Sequence, residues 1–157
     1  MALSIEEIKS SYPLPSYNYF VEINGEAIAF SQVSGLSMKV ETTTYKQSPV
    51  EGGKPGPVVM RMPAQSSDVT ITLQKGIVKG KSVPALYNWI NSTQINQVEK
   101  KDVIIRLMDE TGSAILSWII KDAFPTGLDA PTFDANSNDA AIESLQLMAD
   151  RVIMEEN

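Results

Sequence analysis

The chain has 157 residues, 43% hydrophobic and 20% charged, with a formal net charge of −6 and neither cysteine nor histidine. That length suits a single domain, which buries roughly 70% of its unfolded surface and needs no disulfide or metal staple. The composition removes thiolate chemistry and the imidazole base, and the acidic balance argues against binding a nucleic-acid backbone, which needs a basic face.

Ser4 to Ser10 predicts a short helix, because Ser4 followed by Glu7 has capping-box spacing, in which hydroxyl and carboxylate satisfy orphan N–H groups. Tyr12-Pro13-Leu14-Pro15 then forces an extended segment, so residues 1–16 read as an arm that is mobile until a partner pins it. The start of the chain lacks the apolar core of a cleaved signal, and no run approaches the ~20 apolar residues of a membrane span.

Tyr17 to Ile23 is the first predicted strand, with Tyr17, Tyr19, Val21 and Ile23 on one face. Asn24-Gly25 is a strong two-residue hairpin signal, which predicts that Glu26 to Phe30 pairs back on it. Ser34-Gly35 reads as a bulge before a strand whose Leu36, Met38 and Val40 face a core, with Lys39 and Glu41 facing away and Thr42 to Tyr45 prolonging it. Gln47 to Pro57 holds three prolines and three glycines and predicts a long irregular loop. Val58 to Met62 reads as a short strand that Pro63 ends.

Asp68 to Gln74 is the cleanest alternation in the chain, with Val69, Ile71 and Leu73 inward and Thr70, Thr72 and Gln74 outward. Ser82 is the expected N-cap of the one principal helix, which carries Pro84 in its first turn and Leu86, Trp89 and Ile90 on its apolar face. Val103 to Met108 and Ala114 to Ile120 flank Asp109-Glu110-Thr111-Gly112 and predict a hairpin. Ala123-Phe124-Pro125 is expected to stop its second strand. A polar loop from Thr126 to Asp139 then leads to Ala141–Ala149, which alternates again and returns to the same sheet.

Two motifs tempt and fail. Gly76 to Ser82 lies between a strand and a helix, as a phosphate-binding loop would, yet only three residues separate Gly76 from Gly80-Lys81 where four are required, and Lys75 holds the first glycine's place. Asp134-Asn136-Asn138 matches the first ligand positions of an EF-hand loop, but Asp139 replaces its glycine and Leu145 its bidentate glutamate. A loop of Asx turns accounts for it better. No serine sits in a nucleophile elbow and no carboxylate pair stands out, so an enzyme, a metal site and a cofactor are not expected. Trp89 and Trp118 read as core or interface anchors, with a ligand platform as the alternative.

These pieces in order resemble the tail tube (inner tube) proteins of contractile phage tails and phage-tail-like extracellular injection systems. The resemblance rests on Tyr19–Ile23, Asn24-Gly25, Phe30–Leu36, Tyr45 with Glu51-Gly52-Gly53, Val69–Gly76, Leu86–Trp89, Trp118, Ala123-Phe124-Pro125 and Ala141–Leu147. Ser48-Pro49-Val50 departs from it by lengthening the segment before Glu51.

The resemblance implies a mainly β subunit, a β-sandwich or open barrel with one principal helix. Six such subunits would close into a ring, and rings would stack into a hollow tube within a contractile sheath. The expected partners are further copies, the sheath, baseplate and tube-cap proteins and a cargo in the lumen. Assembly would occur in the bacterial cytoplasm, before incorporation into a virion tail or release as an extracellular particle. Short polar side chains suit a channel wall, so Lys39, Glu41, Thr43, Thr70, Thr72 and Gln74 are the expected lumen residues. The arm and the Gly/Pro-rich loop are the expected ring-to-ring contacts, through Tyr12, Pro13, Pro15, Pro49, Val50, Glu51, Gly52, Gly53, Lys54 and Pro55. A baseplate tube initiator and a type VI secretion tube protein share the implied fold. A monomeric β-sandwich binding module is the reading from another class.

Overall fold

A computed structural model describes residues 2–95 and 97–156. The capping box forms at Ser4: its Oγ accepts from the Glu7 N–H at 3.2 Å, and the Glu7 carboxylate accepts from the Ser4 N–H at 2.8 Å. It opens helix α1 (Ile5–Ser11), which buries none of its residues. An exposed Lys9–Glu110 ion pair of 3.4 Å ties α1 to a turn of the body, a contact of about 1 kcal/mol at most.

The remaining chain is β-rich. Strands β1 (Tyr19–Ile23) and β2 (Glu26–Ala27) are joined through Asn24 and Gly25 at φ 52° and 83°, the pair of positive angles a tight two-residue turn requires. The pairing is shorter than expected. After the Ile28 N–H donates to the Val21 carbonyl, the chain peels away, and the Tyr19 hydroxyl donates to the Phe30 carbonyl at 2.6 Å. It then forms β3 (Gln32–Ser34), which pairs with β6 (Val69–Gly76).

The other body strands are β7 (Lys101–Met108), β8 (Ala114–Asp129), β9 (Ile142–Ala149) and β10 (Arg151–Glu156). All pairings are antiparallel in the order β2-β1-β7-β8-β9-β6-β3, with β10 also on β8. β2 and β3 thus stand at opposite ends of this eight-stranded order, while residues 28–31 alone connect them. So short a tether spans no more than about 18 Å, so the sheet curls until its ends approach, giving an open barrel. Its interior holds Ile71, Leu73, Val103, Ile120, Leu145 and Leu147, all fully buried.

Five expectations need correction. Pro125 does not end its strand: β8 continues to Asp129 with Pro125 fully buried. The N-terminal part of β8 pairs with β7 and β10, and the part from Phe124 pairs with β9 alone. Proline is tolerated because one side of the strand is unpaired there, beside a register shift between Pro125 and Gly127. Asp122, at φ 54°, marks the bend between the two parts.

Met38 and Val40 do not face a core. β4 (Val40–Gln47) and β5 (Val58–Ser66) pair only with each other, so no second layer lies under them. Pro63 does not end β5 either; it sits opposite Thr42 beside a register shift, in a two-stranded ladder whose outer edges are free. Ser34-Gly35 is where the chain leaves β3, not a bulge within one strand. Gly35 has φ +88°, and a Cβ there would stand 2.4 Å from the Thr70 carbonyl oxygen.

Ser82 is no N-cap: its backbone is already helical and its hydroxyl makes no cap bond. The helix it precedes is a π-helical turn (Val83–Tyr87) running into α2 (Asn88–Asn91), with Leu86 and Trp89 buried. β3 and β10 are strands in addition to those the residue pattern predicts.

Candidate assembly surfaces

The tempting motifs close on themselves. Lys75 points inward from β6 and is buried; its ammonium donates to the Gly76 carbonyl at 3.1 Å and to Ser82 Oγ at 3.2 Å. Ser82 Oγ also accepts from the Val78 N–H at 2.9 Å. The segment is thus folded around Ser82. In the Asp134 loop the carboxylate accepts from the Asn136 N–H at 3.0 Å, the expected Asx turn. Among the described residues no three acidic, His or Cys side chains could hold a metal ion.

Trp89 is buried, its indole N–H donating to the Glu99 carbonyl at 2.8 Å, with the Lys101 ammonium 5.0 Å from its ring centroid. Trp118 packs partly buried against the core, flanked in register by Ile105 and Met154. Both serve as anchors. The indole of Trp89 has no open face to offer a ligand.

Two surfaces lack a partner within the subunit. The first is the β4–β5 hairpin. All its strand residues are exposed except Gln47, which is half-buried. Directly opposed residues share a face, so the register sorts its side chains. Thr43 faces Met62, Tyr45 faces Met60 and Gln47 faces Val58 on one side; Thr42, Thr44, Lys46, Val59, Arg61 and Pro63 occupy the other. One face is therefore apolar at its centre and the other mainly polar. Sequence reasoning passed over Tyr45, Val58, Met60 and Met62 as a set, although the alternation from 58 to 62 carried the signal.

The second surface is the outer face of the β8–β9–β6–β3 part of the sheet. Thr70, Thr72 and Gln74 lie there beside Met148, Gln146 and Ser144 of β9, with Ser34 and Gln32 of β3 beyond Thr72 and Gln74. Asp129, opposite Ser144, is within 3.4 Å of the Gln146 amide nitrogen. The face is made of short, mostly uncharged polar groups. Of the six residues expected in a lumen, Thr70, Thr72 and Gln74 share it. Lys39 and Glu41 lie at the hairpin root, where the Lys39 carbonyl accepts from the Ser67 N–H. Thr43 belongs to the hairpin face with Tyr45 and Met62.

The expected ring-to-ring residues are solvent-exposed except Pro49, which is half-buried. The 48–57 segment forms the hairpin tip, where Glu51 and Lys54 pair at 2.8 Å and Val50 is 94% exposed. The arm lies at another place, where Lys9 reaches Glu110 in the β7–β8 turn. Asp109 organises that turn. Its carboxylate accepts from the Thr111 hydroxyl at 2.6 Å and from the Ser113 N–H at 3.0 Å, which holds its pKa below the usual carboxylate value. Asp102 is lowered likewise, first by the Asp122 N–H and then by Lys121.

A curled sheet with a polar outer face and an uncovered amphipathic hairpin leaves the subunit with surfaces that nothing within it covers. Residues 15–153 match the family of the T4-like virus tail tube protein gp19, and the chain belongs to that family. It is 41% identical to a chain of the extended PVC sheath–tube complex of an extracellular contractile injection system, over 99% of this chain and 100% of that one, with a TM-score of 0.88. It is 44% identical to a chain of the sheath/tube terminator of such a system, covering 92% and 98%, TM-score 0.82. A chain of the anti-feeding prophage tube-terminating cap is 39% identical over the whole of both chains, TM-score 0.84. A search of curated protein sequences gave no match.

Proposed function

We infer that the protein is the structural inner tube subunit of a contractile injection particle of the phage-tail type. Six copies close into a ring, rings stack into a hollow tube, and a contracting sheath drives the tube through a target envelope. The observation that carries this reading is the match over essentially the full length of both chains to a component of a sheath–tube complex. The hairpin supplies its physical counterpart, since an isolated two-stranded hairpin is at best marginally stable until other surfaces cover it.

Residues 1–157 act as one tube-like unit, with the arm (1–16) and the loop (47–57) as its attachments. Its partners are further copies, the sheath, and baseplate and cap proteins at the tube ends. It works without catalysis and without a cofactor. The subunit assembles in the bacterial cytoplasm before the particle leaves the cell.

Thr70, Thr72 and Gln74 face the channel and its cargo, with Lys39 and Glu41 nearby at the hairpin root. Thr43 goes with the hairpin face that other copies cover. Tyr12, Pro13 and Pro15 in the arm, with Pro49 to Pro55 at the hairpin tip, contact neighbouring rings.

Negative-stain electron microscopy of the purified subunit, alone and with a tube seed or baseplate from the same source, tests the function. Rings or tubes with a central hole are expected; a strict monomer in the presence of the seed refutes it. Thr72→Cys tests the channel: a bulky maleimide should label free subunits fast and tubes slowly, and equal rates reject the assignment.

A further inference from the structure

We propose that Met60 and Met62 form an oxidation-sensitive site at which conversion of the thioethers to sulfoxides blocks assembly, and which assembly then shields. The inference rests on the tube reading above and adds a chemistry to it.

The two methionines stand two residues apart on β5, on the apolar face of the hairpin, opposite Tyr45 and Thr43. In the free subunit they are 39% and 43% exposed, on a hairpin whose two strands pair only with each other among the described residues. A peroxide therefore has access to both sulfurs. Each sulfur donates a lone pair to one peroxide oxygen; the O–O bond breaks as an S–OH bond forms, and the displaced hydroxide takes the proton of that hydroxyl and leaves as water, so that a sulfoxide remains. The thioether is oxidised by two electrons and hydrogen peroxide is reduced.

The occupant of this face is a second copy of the same chain. No strand residue of the hairpin is buried in the subunit, whereas the full-length relative at 41% identity is found in a sheath–tube complex, where neighbours exist to cover it. A thioether suits such a contact, since methionine is unbranched, polarizable and packs well beside an aromatic ring such as Tyr45. A sulfoxide is polar and carries a strong acceptor that an apolar contact leaves unpaired. Two of them should reduce assembly on the order of a hundredfold at fixed subunit concentration. Met38 and Met154 are also exposed, yet neither belongs to the paired hairpin face, and they serve as internal controls.

The experiment treats free subunit with hydrogen peroxide, locates the sulfoxides by peptide mass spectrometry, and follows seeded tube growth by sedimentation and microscopy. Growth should fail as Met60 and Met62 oxidise, and return after treatment with both methionine sulfoxide reductases. The double variant M60L/M62L, which keeps size and apolarity, should grow tubes that tolerate peroxide, whereas M38L/M154L should remain sensitive. Pre-formed tubes should oxidise more slowly at 60 and 62 than free subunits do. Normal growth with both methionines oxidised overturns the proposal, as does a peroxide-sensitive M60L/M62L variant. Failure of untreated subunit to extend a seed overturns the tube reading itself, and this proposal with it.

Discussion

Replacing Gly35 by alanine separates two costs that are usually confounded. Gly35 sits at φ +88°, where an L side chain is strained, and its added Cβ would lie 2.4 Å from the Thr70 carbonyl oxygen and 3.3 Å from the Ile71 Cα. Both neighbours are backbone of β6, held between β9 and β3, and cannot swing aside as a side chain would. Gly25 has nearly the same angle, φ +83°, but nothing lies within 4 Å of its added Cβ.

The left-handed conformation alone costs about 1–2 kcal/mol, so Gly25→Ala should lose about 1 kcal/mol after the smaller entropy of the unfolded alanine chain is counted. Forcing a methyl into packed backbone adds about 1–3 kcal/mol, which brings Gly35→Ala to about 3 kcal/mol. In a domain of this size the difference corresponds to roughly 5 °C in Tm. Urea unfolding of the monomeric subunit, with the m-value checked for constancy, measures both. Equal losses for the two variants would refute the claim that the approach of Gly35 to β6 is what fixes it as glycine.

Three further outcomes follow from the same geometry. Leu73→Ala should destabilise the subunit by about 2–5 kcal/mol, because a fully buried side chain leaves a cavity between β9 and β3, while Val50→Ala at the hairpin tip should change unfolding by less than about 0.5 kcal/mol. Asp109 has its pKa lowered on folding, so its stabilising effect is present above the unfolded value of about 3.9 and is lost as pH falls through the lower folded value. The urea midpoint of wild type should exceed that of Asp109→Ala by a constant amount from pH 7 to about 5, and the gap should close towards pH 2; a gap that widens on acidification contradicts the turn's bonding. Deleting Pro49–Gly56 should leave the body's unfolding midpoint unchanged within about 0.5 kcal/mol while removing long tubes, and normal tube lengths after deletion would end the role given to the tip.

Much of the body was legible because its strands bury one face. Val69, Ile71 and Leu73 alternate with polar residues, and that period alone identifies an amphipathic strand; β9 declares itself in the same way. The Asn24-Gly25 turn and the Ser4–Glu7 cap are local chemistry, complete within a few residues, so they too were readable. The hairpin was not. Leu36, Met38 and Val40 alternate as a core strand does, yet only Leu36 packs on the core, and Met38 and Val40 have no layer beneath them.

Pro125 misled for a related reason. Whether a strand tolerates proline depends on whether its missing N–H would face a partner, and pairing is a tertiary fact. Ser82 has the residue type and position of a helix cap, yet the amine of Lys75, seven residues earlier, uses its hydroxyl instead. The lumen set was split for the same cause. Thr70, Thr72 and Gln74 follow one strand's alternation, whereas placing Lys39, Glu41 and Thr43 required knowing where the chain leaves the sheet.

β8 carries 16 residues, and its two parts belong to different ladders, β7 and β10 up to Ala123 and β9 from Phe124 onward. Such a strand acts mechanically as a tie rod. A pull applied to the β1–β7 side reaches the β9–β6 side along covalent backbone, without depending on side-chain packing between the halves. To part them, the load must slide a ladder of hydrogen bonds in shear, many at a time, instead of unzipping them singly. Within the subunit, one bent strand thus couples the two ladders.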